Sequence, residues 1–239
     1  MKKHCLILGA SGSIGSAIAI RLVKEGYTLS LHFNQDHQSI RKMVQAFPDE
    51  VVLEVIQADL SNQEGIETFL EKLTISPTHI AFASGQAHYG LLQDTPTDMM
   101  DSLYHVHVKA MWMITQACLP SMIEQRNGNI IVISSIWAEM GASFEVIYSS
   151  VKGAQNSFVK AVAQEIAGTT IRINAVSPGF IDTKMNQQLT EVEKQAVIDN
   201  IPANRAGKPE EVAELVCFLF DDQKSSYING ENIKISGGW

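Results

Sequence analysis

Tyr148 and Lys152 stand four residues apart in Tyr148-Ser149-Ser150-Val151-Lys152, a spacing that puts both side chains on one helix face. A free phenol has a pKa of about 10, too high for easy proton exchange at neutral pH. An ammonium beside it favours the tyrosinate and brings the group toward working range. Taken alone, such a pair is common on protein surfaces. Ser135 adds weight to it: this serine lies thirteen residues upstream, where the apolar run Ile130–Ile133 ends in Ser134-Ser135. Ligands of open α/β sheets collect at strand ends of that kind. A hydroxyl there can hold a carbonyl oxygen while Tyr148 supplies the proton.

A second constellation lies near the start of the chain. Leu8-Gly9-Ala10-Ser11-Gly12-Ser13-Ile14-Gly15 joins an apolar strand to an amphipathic helix. Glycines in such a turn let the backbone approach a pyrophosphate, and the helix N-terminus offers free N–H groups and the positive end of its dipole. Gly9, Ser11, Ser13, Ile14 and Gly15 are the candidate contacts. An acid at the end of the second strand would accept from a ribose 2′-hydroxyl and repel a 2′-phosphate. Here that place reads His32-Phe33-Asn34, with no acid before Asp36. The pattern favours NADP(H), with His32 and Asn34 as polar candidates; a merely solvated loop competes with that reading.

These residues need a scaffold that brings strand ends together. Short apolar runs at Cys5–Leu8, Tyr27–Phe33, Val51–Gln57, His79–Ala83, Asn129–Ser134, Ile171–Val176 and Asn232–Ile235 read as strands, several of them buried on both faces. Helical patterns fall between them, at Ile14–Glu25, Ser61–Leu73, Asp98–Gln125, Tyr148–Ala167 and Pro209–Phe220, the last opening on Pro-Glu-Glu. Alternation of this kind predicts an α/β fold, a Rossmann-type doubly wound parallel sheet of about seven strands in three α/β/α layers. The 239 residues then form one domain, 1–239, enlarged by an insertion at about 180–208 that suits a substrate lid.

Composition narrows the function classes. Lys plus Arg number 18 against 26 for Asp plus Glu, a net charge of −8, which argues against nucleic acid as a partner. Cys5, Cys118 and Cys217 lie among apolar neighbours without CxxC spacing and read as reduced cysteines of a cytoplasmic protein; no metal site is expected. No run approaches the roughly 20 apolar residues of a membrane span. Lys2-Lys3 before an apolar stretch imitates a secretion signal, but the glycines and serines of residues 9–16 interrupt it.

Together these pieces resemble the short-chain dehydrogenase/reductase family. The Gly9–Gly15 turn, Asp59-Leu60, Ser135/Tyr148/Lys152, Asn174-Ala175-Val176-Ser177-Pro178-Gly179 running to Thr183, Tyr227-Ile228-Asn229-Gly230 and Gly237-Gly238 occur in the family's order over essentially the whole chain. The resemblance implies hydride transfer between NAD(P)H and a carbonyl, and usually a homo-tetramer. It also implies that Asp59 bonds the adenine with Leu60 beside it, that Ser84 and Gly85 border the cofactor, and that Lys152 holds the nicotinamide ribose. Pro178, Gly179, Ile181 and Thr183 would then meet the carboxamide and pyrophosphate.

Some positions depart from the family's pattern. Leu8 stands for a threonine and Ser13 for a glycine, and Phe82-Ala83-Ser84-Gly85 lacks the usual asparagine pair. The fourth catalytic position, usually Asn at a helix kink that holds a water, is His107 in Val106-His107-Val108. Its imidazole is open to two readings, a proton shuttle or a neutral packed side chain. The segment Ile201-Pro202 to Val212 is similar to 3-oxoacyl-acyl-carrier-protein reductases. Residues Ser134–Ser143 with Gly153-Ala154-Gln155 and His107 resemble a subgroup similar to the reductase of the 5-aminopentanone group on elongation factor P. Trp137 and Glu139 follow Ser135, where a carboxylate would suit a cationic amino-ketone better than an anionic thioester. The substrate is thus a small or carrier-attached ketone, with acyl carrier protein and elongation factor P as near-level partners. A cofactor-binding regulator without catalysis is the alternative of another class.

Overall fold

In a computed structural model the chain is described over residues 3–186 and 189–239. Lys2 of the basic pair and residues 187–188 of the insertion lie outside the described residues. Strands β1 (His4–Leu8), β2 (Thr28–Phe33), β3 (Val52–Gln57), β4 (His79–Phe82), β5 (Gly128–Ile133), β6 (Ile171–Pro178) and β7 (Asn232–Ile235) form one sheet in the order β3-β2-β1-β4-β5-β6-β7. Every pairing is parallel. The expected strands are all present, shifted by a few residues at most, because continuous apolar runs suit strands covered on both faces.

Alternate residues of β1 feed two cores. Ile7 joins Ile18, Leu22, Leu31, Val212 and Val216 on one face of the sheet. That face is covered by α1 (Ser13–Lys24), α2 (His37–Ala46) and, further along the chain, Pro209–Phe220. Leu6 and Leu8 point the other way, to Phe69, Ile114, Val132 and Ile173. Here the cover is α3 (Gln63–Lys72), the helices between Thr97 and Gln125, and Val146–Glu165. Each fully buried aliphatic side chain stabilises the fold by roughly 1.5–3 kcal/mol relative to exposure.

The expected helix Asp98–Gln125 is three pieces: α4 (Thr97–Tyr104), a wide π turn over His105–Lys109, and α5 (Ala110–Gln125). Periodicity misses the break because His105-Val106-His107-Val108-Lys109 contains neither Gly nor Pro, and a π turn continues a helix rather than ending it. The remaining helices are α6 (Trp137–Met140), α7 (Val146–Glu165), α8 (Glu191–Ile198), α9 (Pro209–Phe220) and α10 (Asp222–Ser225). Thr190 starts α8 with a capping box to Glu193, so the insertion carries a helix of its own. Among the described residues, no helix is long and apolar enough to cross a membrane.

The sheet order reverses between β1 and β4, and the crevice at their C-terminal ends is where this topology binds ligands. Among the buried histidines, His32 and His107 lie near this crevice and His79 at the opposite end of β4. Burial holds His32 and His79 down to about 4, and His107 to about 3. These rings stay neutral when folded but charge below about pH 6.5 when unfolded, so stability is full above that pH and is lost as pH falls toward the folded values. Urea titrations at about pH 7.5 and about pH 5 should show a loss on the order of 2 kcal/mol per ring at the lower pH. In a His79→Gln variant that loss should be smaller.

Candidate active site

The phosphate turn is built for close approach. Gly9 takes φ +77°, and a Cβ on it would stand 2.5 Å from the backbone of Ser84. A Cβ on Gly15 would collide with the Gly9 carbonyl. Gly12 caps α1 without a side-chain bond, and the first turn holds no acid. The leading N–H groups are therefore free to meet an anion, with the hydroxyls of Ser11 and Ser13 beside them. Ile14 packs back onto the core. The cradle fits a dinucleotide pyrophosphate, and a side chain at Gly9 or Gly15 would break the backbone packing that forms it.

The ribose end differs from expectation in one respect. His32 is not available to a ribose: its Nδ1 accepts from the Gly9 N–H at 3.2 Å and its Nε2 meets the Ala58 carbonyl at 3.0 Å. The ring braces the phosphate turn from below. Asn34 donates to Asp59 at 3.2 Å, Asp59 also accepts from the Ser61 N–H, and Leu60 is buried in the second core. Asp36 caps α2 through Ser39 and pairs with Lys184 at 2.9 Å. The Lys184 bond, then Ser39, hold the Asp36 carboxyl well below its usual range. Lys184 also donates its backbone N–H to Ser13 Oγ at 3.2 Å. No local spacing reveals this cation, since it comes from a different part of the chain.

Across the crevice, Ile136 N–H donates to the Pro178 carbonyl and Gly179 N–H to that of Ile235. The first bond fixes the ends of β5 and β6 side by side, and the second ties the end of β6 to β7. Ile181 is buried and bridges to Gly207, while Thr183 turns the chain toward Lys184. Pro178 to Thr183 thus edge the same crevice as Ser84 and Gly85.

The reacting groups converge at the end of β5. Burial first and the Glu145 carboxylate second push the Tyr148 phenol up, and the nearby Ser135 hydroxyl, which accepts from the Trp137 N–H, lowers it by less. Tyr148 is accordingly a protonated phenol. Lys152 Nζ lies 5.5 Å from the Tyr148 ring centroid. Its side chain is 3% exposed, and burial brings the ammonium down to about 7. No carboxylate pairs with it among the described residues. Nζ donates instead to the Ile133 carbonyl at 2.8 Å and to Gln155 Oε1 at 3.1 Å.

His107 meets the Tyr148 ring edge-to-face at 5.6 Å. Burial first, and Lys152 second, keep it neutral. Its Nε2 lies 2.8 Å from the Gln86 carbonyl and 3.3 Å from the Gln86 N–H, meeting one or the other according to its tautomer, and among the described residues Nδ1 has no partner. Cε1 stands 3.0 Å from where a Cβ on Gly85 would be. The imidazole therefore holds the loop after β4, the stretch that lacks the family's asparagines.

Glu139 is not free to receive a cationic substrate. Lys234 pairs with it at 2.6 Å and Asn232 donates to it at 2.9 Å. Glu145, not singled out in the sequence, is the half-buried carboxylate near Tyr148; burial raises its pKa, and the nearby Trp137 side chain offsets that in part. Trp137 also packs on Trp239, and Tyr89 stacks on Phe144 at the rim.

A dinucleotide crevice at the switch point of a parallel sheet, with a phenol and ammonium at the adjoining strand end, defines a nucleotide-dependent oxidoreductase. Comparison with known proteins agrees. The family described as enoyl-(acyl carrier protein) reductase matches residues 9–239. The Bacillus subtilis oxidoreductase YmfI is 41% identical over 100% of this chain and 99% of its own length. The 3-oxoacyl-acyl-carrier-protein reductase FabG of Thermotoga maritima is 34% identical over 99% of this chain and 97% of its own. The solved structure of the angucycline C-6 ketoreductase LanV with bound NADP superposes with a TM-score of 0.90 at 24% identity, covering 99% of this chain and 95% of LanV. The chain belongs to the short-chain dehydrogenase/reductase family.

Replacing Tyr148 by Phe removes the proton while keeping the ring against His107. Turnover should fall by about 100-fold or more, with cofactor binding by fluorescence titration unchanged. A variant with near-native rates would mean that another group supplies the proton.

Proposed function

We propose that this protein is an NADPH-dependent ketone reductase of the 3-oxoacyl-acyl-carrier-protein reductase type. The observation that carries the reading is the joint placement of Ser135, a protonated Tyr148 and a buried, carboxylate-free Lys152. When bound, the reduced nicotinamide supplies a hydride to the carbonyl carbon. Ser135 orients the substrate oxygen, and Tyr148 donates its proton to that oxygen as the alcohol forms. Lys152 stabilises the tyrosinate left behind. Gly9, Gly15 and the N–H groups of α1 would hold the pyrophosphate, Asp59 the adenine and Lys152 the nicotinamide ribose. The protonated phenol suits the reducing direction at neutral pH.

The absence of an acid at Asn34 supports the phosphorylated cofactor, and Lys184 adds a cation beside the first turn of α2. The 180–208 segment acts in this reading as a lid, with Lys184 joining it to the cofactor side. The reading carries a cytoplasmic homo-tetramer, and the free thiols of Cys5, Cys118 and Cys217 suit a reducing compartment.

One observation favours a second substrate, the 5-aminopentanone group on elongation factor P. Glu145 is a half-buried carboxyl three residues before Tyr148, near Trp137 and, among the described residues, in no ion pair. It offers a cationic ketone the charge that Glu139 does not.

NADPH consumption should be measured side by side with acetoacetyl thioester and with the modified elongation factor P. Turnover of the thioester alone supports the carrier substrate, and turnover of the modified protein alone supports the second. Tight cofactor binding with neither consumed would favour a regulator. kcat/KM should be greater with NADPH than with NADH. In Lys184→Ala the NADPH Kd should rise about tenfold, as for loss of one charge-assisted phosphate bond, with the NADH Kd unchanged; equal changes in both would remove Lys184 from the phosphate.

A further inference from the structure

Gln155 is a polar side chain where α7 should be apolar. It is 2% exposed and lies on the inner face of the helix with Val151 and Val159. A buried amide is tolerated only when its polar atoms are bonded, and both ends of this one are. Nε2 donates to the His107 carbonyl at 2.8 Å, and Oε1 accepts from Lys152 Nζ at 3.1 Å.

The two bonds are linked by geometry. In the π turn over His105–Lys109, Ala110 N–H reaches back to the His105 carbonyl, and the turn's widening leaves room for a side chain at the carbonyl of His107. A carbonyl accepts and cannot donate, so the amide has one possible orientation: nitrogen toward His107, oxygen toward the ammonium. Lys152 and Gln155 are three residues apart on one helix, so the oxygen is fixed relative to Nζ. We propose that Gln155 is the positioning residue for Lys152, its amide oriented by the π-turn carbonyl so that its oxygen holds the lysine ammonium against Tyr148. The inference rests on the reductase reading above and goes beyond it by assigning a role to a side chain outside the Ser135/Tyr148/Lys152 set.

The surroundings leave few competitors for this role. On its own helix Lys152 faces Tyr148, with Glu145 one turn further toward the N-terminus. From the π turn it faces His107, which is neutral. From β5 it meets only the Ile133 carbonyl, and Ser134 Oγ bonds the Lys152 backbone carbonyl at 3.5 Å. A carboxylate at 155 would bind the ammonium more tightly and raise its pKa; an apolar residue would remove an acceptor and lower it. A neutral amide lies between these extremes. It also carries no exchangeable charge at neutral pH, so it closes the inner side of the ammonium and leaves proton exchange to the Tyr148 side.

The test uses Gln155→Leu, Gln155→Met and Gln155→Glu in the full-length enzyme, each verified by thermal unfolding and NADPH binding. The Lys152 titration is followed by NMR of 13C-labelled lysine, with Lys152→Met giving the assignment; this readout needs no turnover. The Lys152 pKa should fall by about one pH unit in Leu and Met and rise by about one or more in Glu. Activity that needs the ammonium disappears as pH rises through that pKa, so the alkaline limb of kcat should move to lower pH in Leu and Met and to higher pH in Glu. Unmoved titration in all folded variants, whatever their rates, would overturn the proposal and leave Gln155 a packing residue. Shifted titrations without any ketone turnover by the native enzyme would support the positioning role and reject the reductase reading instead. If Leu and Met fail to fold, the Glu shift alone decides: an unchanged titration there overturns it.

Discussion

The Lys152 ammonium lies almost wholly out of water, paired with no carboxylate among the described residues, and much of the surrounding structure follows from accommodating that charge. A lone buried ammonium is unfavourable because the interior cannot solvate it as water does. Two uncharged acceptors, the Ile133 carbonyl and Gln155 Oε1, take the place of solvent. A carboxylate in either place would bind the charge more strongly but would neutralise its effect on Tyr148. The same field helps to keep His107 neutral, so the ring packed against Tyr148 adds no second charge. The low pKa of the lysine and the protonated state of the tyrosine are thus two consequences of one dry site.

Two departures from the family's pattern make sense as a pair. The loop after β4 lacks its asparagines, and the helix position opposite carries an imidazole instead of an asparagine. In three dimensions the imidazole reaches the Gln86 carbonyl and lies against Gly85. Residues that look like independent losses along the chain form one contact in space. The π turn belongs to the same arrangement, since it aims the His107 side chain at the loop and the His107 carbonyl at Gln155.

Charge is distributed so that the acidic chain still brings one cation, Lys184, to the side of the crevice where Ser13 and Asp36 lie. Lys184 comes from the insertion to the first turn of α2, where it pairs with Asp36. At the substrate mouth the roles of two acids are exchanged relative to their sequence positions. Glu139 is neutralised by Lys234, and Glu145 retains a half-buried carboxyl near the phenol. The overall charge of −8 therefore says little about the site itself, where local pairing decides.

Apolar runs, helix starts and the glycine turn are local signals, and they were sufficient to determine the strands and their parallel arrangement and to nominate Ser135, Tyr148 and Lys152 as candidates. Strands buried on both faces cannot hide their composition, and a turn that must approach a phosphate needs glycine wherever a Cβ would collide. The π turn, the inward path of His32, the pairing of Glu139, and the meeting of Lys184 with Asp36 were decided only by tertiary structure. Each depends on which side chains from distant segments reach the same point, and helical or strand periodicity carries no record of that. Gln155 shows the division: its position on α7 follows from the chain, but its task exists only because the fold sets a carbonyl on one side of it and a buried ammonium on the other.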